Sequence, residues 1–305
     1  ITGFISGLFS AISSEALTSF ITKELKNDKV YVSELIKKFY TLQVFSGIFA
    51  FLVILVFSAP LSELLGIQKN SIKYLLLYGI TPIFSSVLWV LISILRLFDR
   101  YSYYFYQTLS LGLIKTIFFI LIYYLGGSLT HFIYALIILQ LIQSLILSII
   151  TRKVLINEGF DVGKFYSFPT GFGQEIKNYL FYNFGKSIFR SIGLYADILI
   201  LSALTTSTQT VGIYKGAKRI QEILLMSLKG IESVLFPEYS KIYSRNGIIG
   251  LRNITVLTLI FTLIVGFIIA FLGYIFSHEI IIIVLGHEYI ESVNTLKLLI
   301  IHAAI

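Results

Sequence analysis

Six ionisable side chains crowd one apolar segment of this chain. Lys215, Lys218, Arg219, Glu222, Lys229 and Glu232 all fall between residues 210 and 236. Lys215, Lys218, Glu222 and Lys229 recur at helical spacing, which puts them on one face. Lys218 and Glu222 stand one turn apart and Lys229 reaches Glu232, whereas Lys215 has no partner within its own helix. A charge at membrane depth costs several kcal/mol unless it faces protein or water, so the stripe is expected to line a wet cavity. The preceding segment, 178–204, adds Lys186, Arg190 and Asp197. Arg190 and Asp197 are seven residues apart on one face, and either line a cavity or pair with neighbouring helices. Lys186 reads as a snorkelling cation. Cations outnumber anions across 178–236, which suits a phosphate-bearing head group. Nearer the N-terminus, Lys115 sits in an otherwise apolar helix. Glu15 lies mid-segment, as a proton or cation site or as a buried partner for a lysine.

Soluble-enzyme chemistry has no foothold. The chain has no cysteine, no phosphate-cradling Gly-rich loop with Lys, and no HExxH. Its four histidines, His131, His278, His287 and His302, lack metal-ligand spacing, so no metal site is expected. Zinc chemistry stays open only where His278 and His287 share an outer segment with Glu279 and Glu288.

The elements that carry these residues are long and apolar. Composition is 56% hydrophobic and 13% charged, far from the quarter-charged mix of soluble domains. Spans of about 20 residues are expected near 2–22, 39–59, 72–96, 104–125, 130–150, 178–204, 210–236, 252–276 and 289–305. Continuous apolar runs, without alternation, make these helices rather than barrel strands. Lys and Arg load every second gap: 23–38, the turn around Asp99, 151–177 and 237–252. The gaps 125–131, 203–210 and 278–289 hold none, and only 58–73, with Lys69 and Lys73, departs from the pattern. The loaded gaps are therefore cytoplasmic and residue 1 starts outside. The net charge of +8 needs no nucleic-acid partner, because its cations are spread through short loops. Tyr101, Tyr103, Tyr104 and Tyr106 read as an interfacial aromatic belt. Pro82, inside span 72–96, should kink it or break one hydrogen bond.

The longest gap carries Phe168-Pro-Thr-Gly-Phe-Gly173, an ordinary loop or a link between halves. An internal repeat favours the link. Ser14-Glu-Ala-Leu-Thr-Ser-Phe-Ile-Thr-Lys23, then a loop, a span, Phe57-Ser-Ala-Pro and Leu65-Gly66, parallels Ile231-Glu-Ser-Val-Leu-Phe-Pro-Glu-Tyr-Ser-Lys241, then a loop, a span, Phe276-Ser-His-Glu and Leu285-Gly286. Chance similarity between apolar helices is the competing explanation. Two copies of equal orientation imply bundles related by an axis along the membrane normal, a transporter architecture. The expected fold is an all-α polytopic bundle of two pseudo-symmetric six-helix lobes around a central cavity, truncated at both ends. Residues 1–155 would form the N-terminal lobe without its first helix, 156–177 a cytoplasmic linker, and 178–305 an incomplete C-terminal lobe.

Specific motifs add a resemblance. Asp197-Ile-Leu-Ile-Leu-Ser202, Val211-Gly-Ile-Tyr-Lys-Gly-Ala-Lys218, Leu235-Phe-Pro-Glu-Tyr-Ser-Lys241 and Val284-Leu-Gly-His-Glu-Tyr289, running into Leu296-Lys-Leu-Leu299, resemble the polysaccharide transporter family. These are the O-antigen and capsule repeat-unit flippases of the MATE-like superfamily. The resemblance implies two six-helix bundles in a V. It implies a carrier, not an enzyme, that moves undecaprenyl-pyrophosphate-linked oligosaccharide across the bacterial inner membrane by alternating access. Cavity cations would hold the pyrophosphate. Lys215, Lys218, Arg190 and Tyr214 become the expected substrate-binding residues. Glu15, Asp197 and Glu222 become candidates for proton or sodium coupling, with no other cofactor. The expected partners are the lipid-linked oligosaccharide, membrane lipids and polysaccharide assembly proteins. Alternatives are a drug or cation antiporter of the same superfamily, which would favour cavity carboxylates, and a membrane glycan polymerase or ligase, which would carry a large outer loop. A membrane scaffold would leave the lysine stripe without a reason.

Overall fold

A computed structural model describes the backbone of residues 2–10, 12–24, 28–64, 71–160, 171–205 and 207–304. Side chains are described over the same stretches except at 10, 12–15, 23, 64, 208, 225, 227–246, 251, 253 and 303–304. The described chain is helical with no strand: α1 (Thr2–Ser10), α2 (Ile12–Glu24), α3 (Lys29–Leu64), α4 (Ile72–Tyr78), α5 (Thr81–Leu97), α6 (Tyr101–Tyr124), α7 (Leu129–Asn157), α8 (Gln174–Leu204), α9 (Thr208–Ile275), α10 (Ser277–Leu285) and α11 (Ser292–Ala304). Six of these stretches are long and apolar enough to cross a bilayer, and α4 with α5 counts as one of them. The chain is a polytopic, multi-pass membrane bundle.

In the first expected span the Phe9 carbonyl of α1 accepts from Ser46 Oγ at 2.7 Å and Gln43 Nε2 at 3.4 Å on α3. One expected span is interrupted. The span 72–96 stops at Tyr78 and restarts at Thr81, with Pro82 in the first turn of α5. A proline there gives up an N–H that has no helical partner anyway, so Pro82 starts a helix instead of bending one.

Residues Ile1–Ala203 form one compact unit and Leu204–Ile305 a second. In the first, α3, α5 and α7 make the core. Leu91, Ile94 and Leu95 of α5 are fully buried between Ile36 and Phe39 of α3 and Leu147 and Leu155 of α7. The α3–α5 approach is close: a Cβ on Gly47 would lie 2.7 Å from the Pro82 carbonyl oxygen. Helix α7 closes in a Schellman turn, with Gly159 at φ 78° and Phe160 N–H donating to Leu155 O at 2.9 Å. Lys29 Nζ then donates to the Glu158 carbonyl at 2.9 Å and lies 5.5 Å from the Phe160 ring centre. In the second unit, Ala217 and Ile220 of α9 bury against Ile281 of α10 and Leu296 and Ile300 of α11, and Gln221 Nε2 donates to Leu299 O at 2.9 Å. The backbone of α9 leaves helical geometry at Gly247.

Helix α6 carries the aromatic girdle. Tyr101, Tyr103 and Tyr106 are exposed at its start, and Tyr123 and Tyr124 at its end. From Tyr103 to Tyr123 the helix rises about 30 Å, the thickness of a hydrocarbon core.

Candidate functional site

Helix α8 lies antiparallel to α1 and α2 in the first unit. Its Tyr179 ring meets Phe20 at 5.5 Å, Phe184 meets Phe9 at 6.0 Å and Tyr195 meets Phe4 at 6.4 Å. The seam is tight because α1 offers glycines one turn apart. A Cβ on Gly3 would lie 3.0 Å from Tyr195 Oη, and one on Gly7 2.7 Å from Ser191 Oγ. A small-xxx-small spacing of this kind lets helices in lipid approach until backbone meets side chain.

Beside that seam the unit has a half-open cavity of about 360 Å³. Its wall is nearly half polar where a lipid-facing wall would be apolar. Lys115 of α6 and Arg190 of α8 contribute positive charge. Tyr78, Trp89 and Tyr195 contribute aromatic rings. Ser6, Thr81, Ser85, Ser191 and Gln140 contribute hydroxyls and an amide. Among the described residues the wall contains no carboxylate, and neither Lys115 nor Arg190 belongs to an ion pair. Lys115 Nζ lies 5.6 Å from the Phe119 ring centre.

At 1.5 Å per residue along their helices, Lys115 lies about 14 Å from the end of α6 and Arg190 about 21 Å from the end of α8, and both side chains are exposed. These are the helix ends that loop charge assigns to the outside.

A second hollow on the same unit is apolar. Phe9, Phe45, Phe49, Leu52, Leu180 and Phe184 line a groove of about 520 Å³ between α1, α3 and α8.

The other expected site residues divide between units. Lys215, Lys218, Tyr214 and Glu222 lie on α9 in the second unit. Lys215 is exposed, and Tyr214, Lys218 and Glu222 are half-buried. Arg219 Nη1 donates to Glu222 Oε2 at 2.8 Å, a partner that helical spacing alone did not select over Lys218. The opposite face of α9, through Ala217, Ile220 and Gln221, is the one packed on α10 and α11. Asp197 is half-buried on α8, and its Oδ1 accepts from Ile198 N–H at 2.8 Å. The side chains of Glu15, Lys229 and Glu232 lie outside the described residues. Among the described residues no three His, Asp or Glu side chains are grouped to hold a metal. His131 instead accepts, at Nδ1, the Ser128 backbone N–H at the start of α7.

Trp89, Gln140 and the α1 glycines were not singled out from sequence. Each carried a signal: a lone indole, an amide amid leucines and isoleucines, and a Gly-xxx-Gly spacing.

A family model described as polysaccharide biosynthesis protein matches residues 4–294. Among solved structures, a mutant of the MATE transporter VcmN from Vibrio cholerae superposes with a TM-score of 0.68. Identity is 16%, over 100% of this chain and 69% of that one. No curated protein matches the chain.

Proposed function

This chain belongs to the polysaccharide biosynthesis protein family, and from that membership we propose that it is a flippase. It carries undecaprenyl-pyrophosphate-linked oligosaccharide across the bacterial inner membrane by alternating access. The observation that carries this reading is the pair of cations, Lys115 and Arg190, in a half-open, partly polar cavity whose described wall has no carboxylate. An anionic, hydroxyl-rich cargo suits that wall, and a cationic drug does not. The transporter fold, with VcmN as a structural neighbour, supports carriage over catalysis.

Lys215 and Lys218 attract the pyrophosphate, and Tyr214 offers a ring face to the glycan. For proton or sodium coupling the candidates are Glu15, Asp197 and Glu222, the last of which pairs with Arg219. Polysaccharide assembly proteins would feed and drain the carrier.

The test is complementation in a strain lacking its own repeat-unit flippase. The double variant Lys215→Ala, Lys218→Ala should lose surface glycan at normal expression, while the unaltered protein restores it. Normal glycan display by the double variant would remove the phosphate role. A drug antiporter, the reading that the VcmN likeness leaves open, would instead raise resistance to cationic drugs without restoring glycan.

A further inference from the structure

We propose that the cavity of the first unit is a separate recognition site for an acidic sugar, a pyranose bearing a carboxylate. It rests on the flippase reading and deepens it: the pyrophosphate and the glycan would be read at different places.

The argument starts from cost. Lys115 and Arg190 sit about 14 and 21 Å from the nearer helix ends, without an ion pair among the described residues. Two such cations are tolerated at this depth only with water or an anion beside them. A planar carboxylate matches the fork of the guanidinium, and a lysine amine can meet its outer oxygen.

The rest of the wall is suited to a ring rather than to a second phosphate. Tyr78, Trp89 and Tyr195 present aromatic rings to the C–H face of a pyranose, and Gln140, Ser85 and Thr81 present donors and acceptors to its hydroxyls. A pyrophosphate would leave those rings and hydroxyls without a role. The volume, about 360 Å³, lies at the small end of the range for ligand sites and suits a short stretch of glycan. Gly3 and Gly7 complete the site by holding α1 against α8, so that Ser6 and Ser191 share its wall.

The cavity brings its own reporter, since Trp89 is the one tryptophan in these 305 residues. The full-length protein in lipid nanodiscs is titrated with methyl glucuronoside, methyl glucoside and inorganic pyrophosphate. Tryptophan emission and calorimetry are followed in parallel. The glucuronoside is expected to shift the emission saturably and to bind about tenfold more tightly than the glucoside. Lys115→Gln and Arg190→Gln should each weaken it by about tenfold while leaving the glucoside unchanged. Trp89→Phe should remove the emission change but keep the calorimetric signal.

Equal binding of glucoside and glucuronoside overturns the acidic specificity. Displacement of the glucuronoside by micromolar pyrophosphate reassigns the cavity to the head group and also overturns it. The unaltered protein alone decides both points, so a variant that fails to fold does not rescue the idea. Surface-glycan complementation is a separate readout. Glucuronoside binding without glycan rescue keeps this site and removes the flippase, whereas rescue without glucuronoside binding does the reverse.

Discussion

Gly7 shows how far one missing side chain sets this architecture. A Cβ there would lie 2.7 Å from Ser191 Oγ, so Ser191 must turn away or α8 must give way, and a larger side chain presses on the seam itself. Gly112 on α6 is the natural contrast, because nothing lies within 4 Å of its added Cβ. Gly7→Val is therefore expected to lower the melting temperature of the detergent-solubilised protein by several degrees, and Gly112→Val by less than one. That follows if overpacking at Gly7 costs about 1–3 kcal/mol. Equal melts for the two variants would mean that the seam gives way easily. At this scale the sequence was partly readable. Arg190 stood out because a guanidinium amid apolar residues is expensive, and Lys115 stood out likewise. Their meeting in one cavity was not readable, since 75 residues and two helix reversals separate them. Glu222 went the other way: spacing offered Lys218, and side-chain reach selected Arg219.

Among the elements, the ends carry the information. Helix α7 stops at a glycine that no other residue replaces cheaply, because Gly159 holds φ at 78°. Its added Cβ would meet only the mobile tip of Lys29, at 3.2 Å, so the penalty is conformational. Gly159→Ala should cost about 1 kcal/mol, read as a shifted denaturation midpoint, with function retained. A stop in this region was legible, because 151–177 read as a gap between spans. The break before α5 was not: Pro82 announced a disturbance, but whether proline bends a helix or begins one depends on where the preceding turn ends. That turn is closed by Gly79, whose N–H donates to Leu75 O at 2.8 Å. Helix α9 was the reverse case. Its charged residues recur with the helical period, and the face that packs on α11 falls where that period leaves small and apolar residues.

For the whole molecule, orientation is written in the loops. The chain has no cysteine, so single cysteines report the sidedness of any loop without interference from within these residues. In intact cells Ser128→Cys should react with an impermeant maleimide, and Asp99→Cys only after the membrane is opened. The opposite result would invert the assignment drawn from Lys and Arg. The all-helical class was legible because lipid leaves the backbone few ways to satisfy itself. The division into compact units was harder to read, because apolar helices bury similar side chains wherever they pack, and their pattern does not say which neighbour each one has. A last consequence follows from the tyrosines that bracket α6. Rings fixed about 30 Å apart along a helix act as a ruler. When a cell lengthens or shortens its fatty acids with growth temperature, the helix must lean or the leaflet must pucker around it. The protein is thereby tuned to one lipid diet, and its activity should fall in membranes grown either too stiff or too thin.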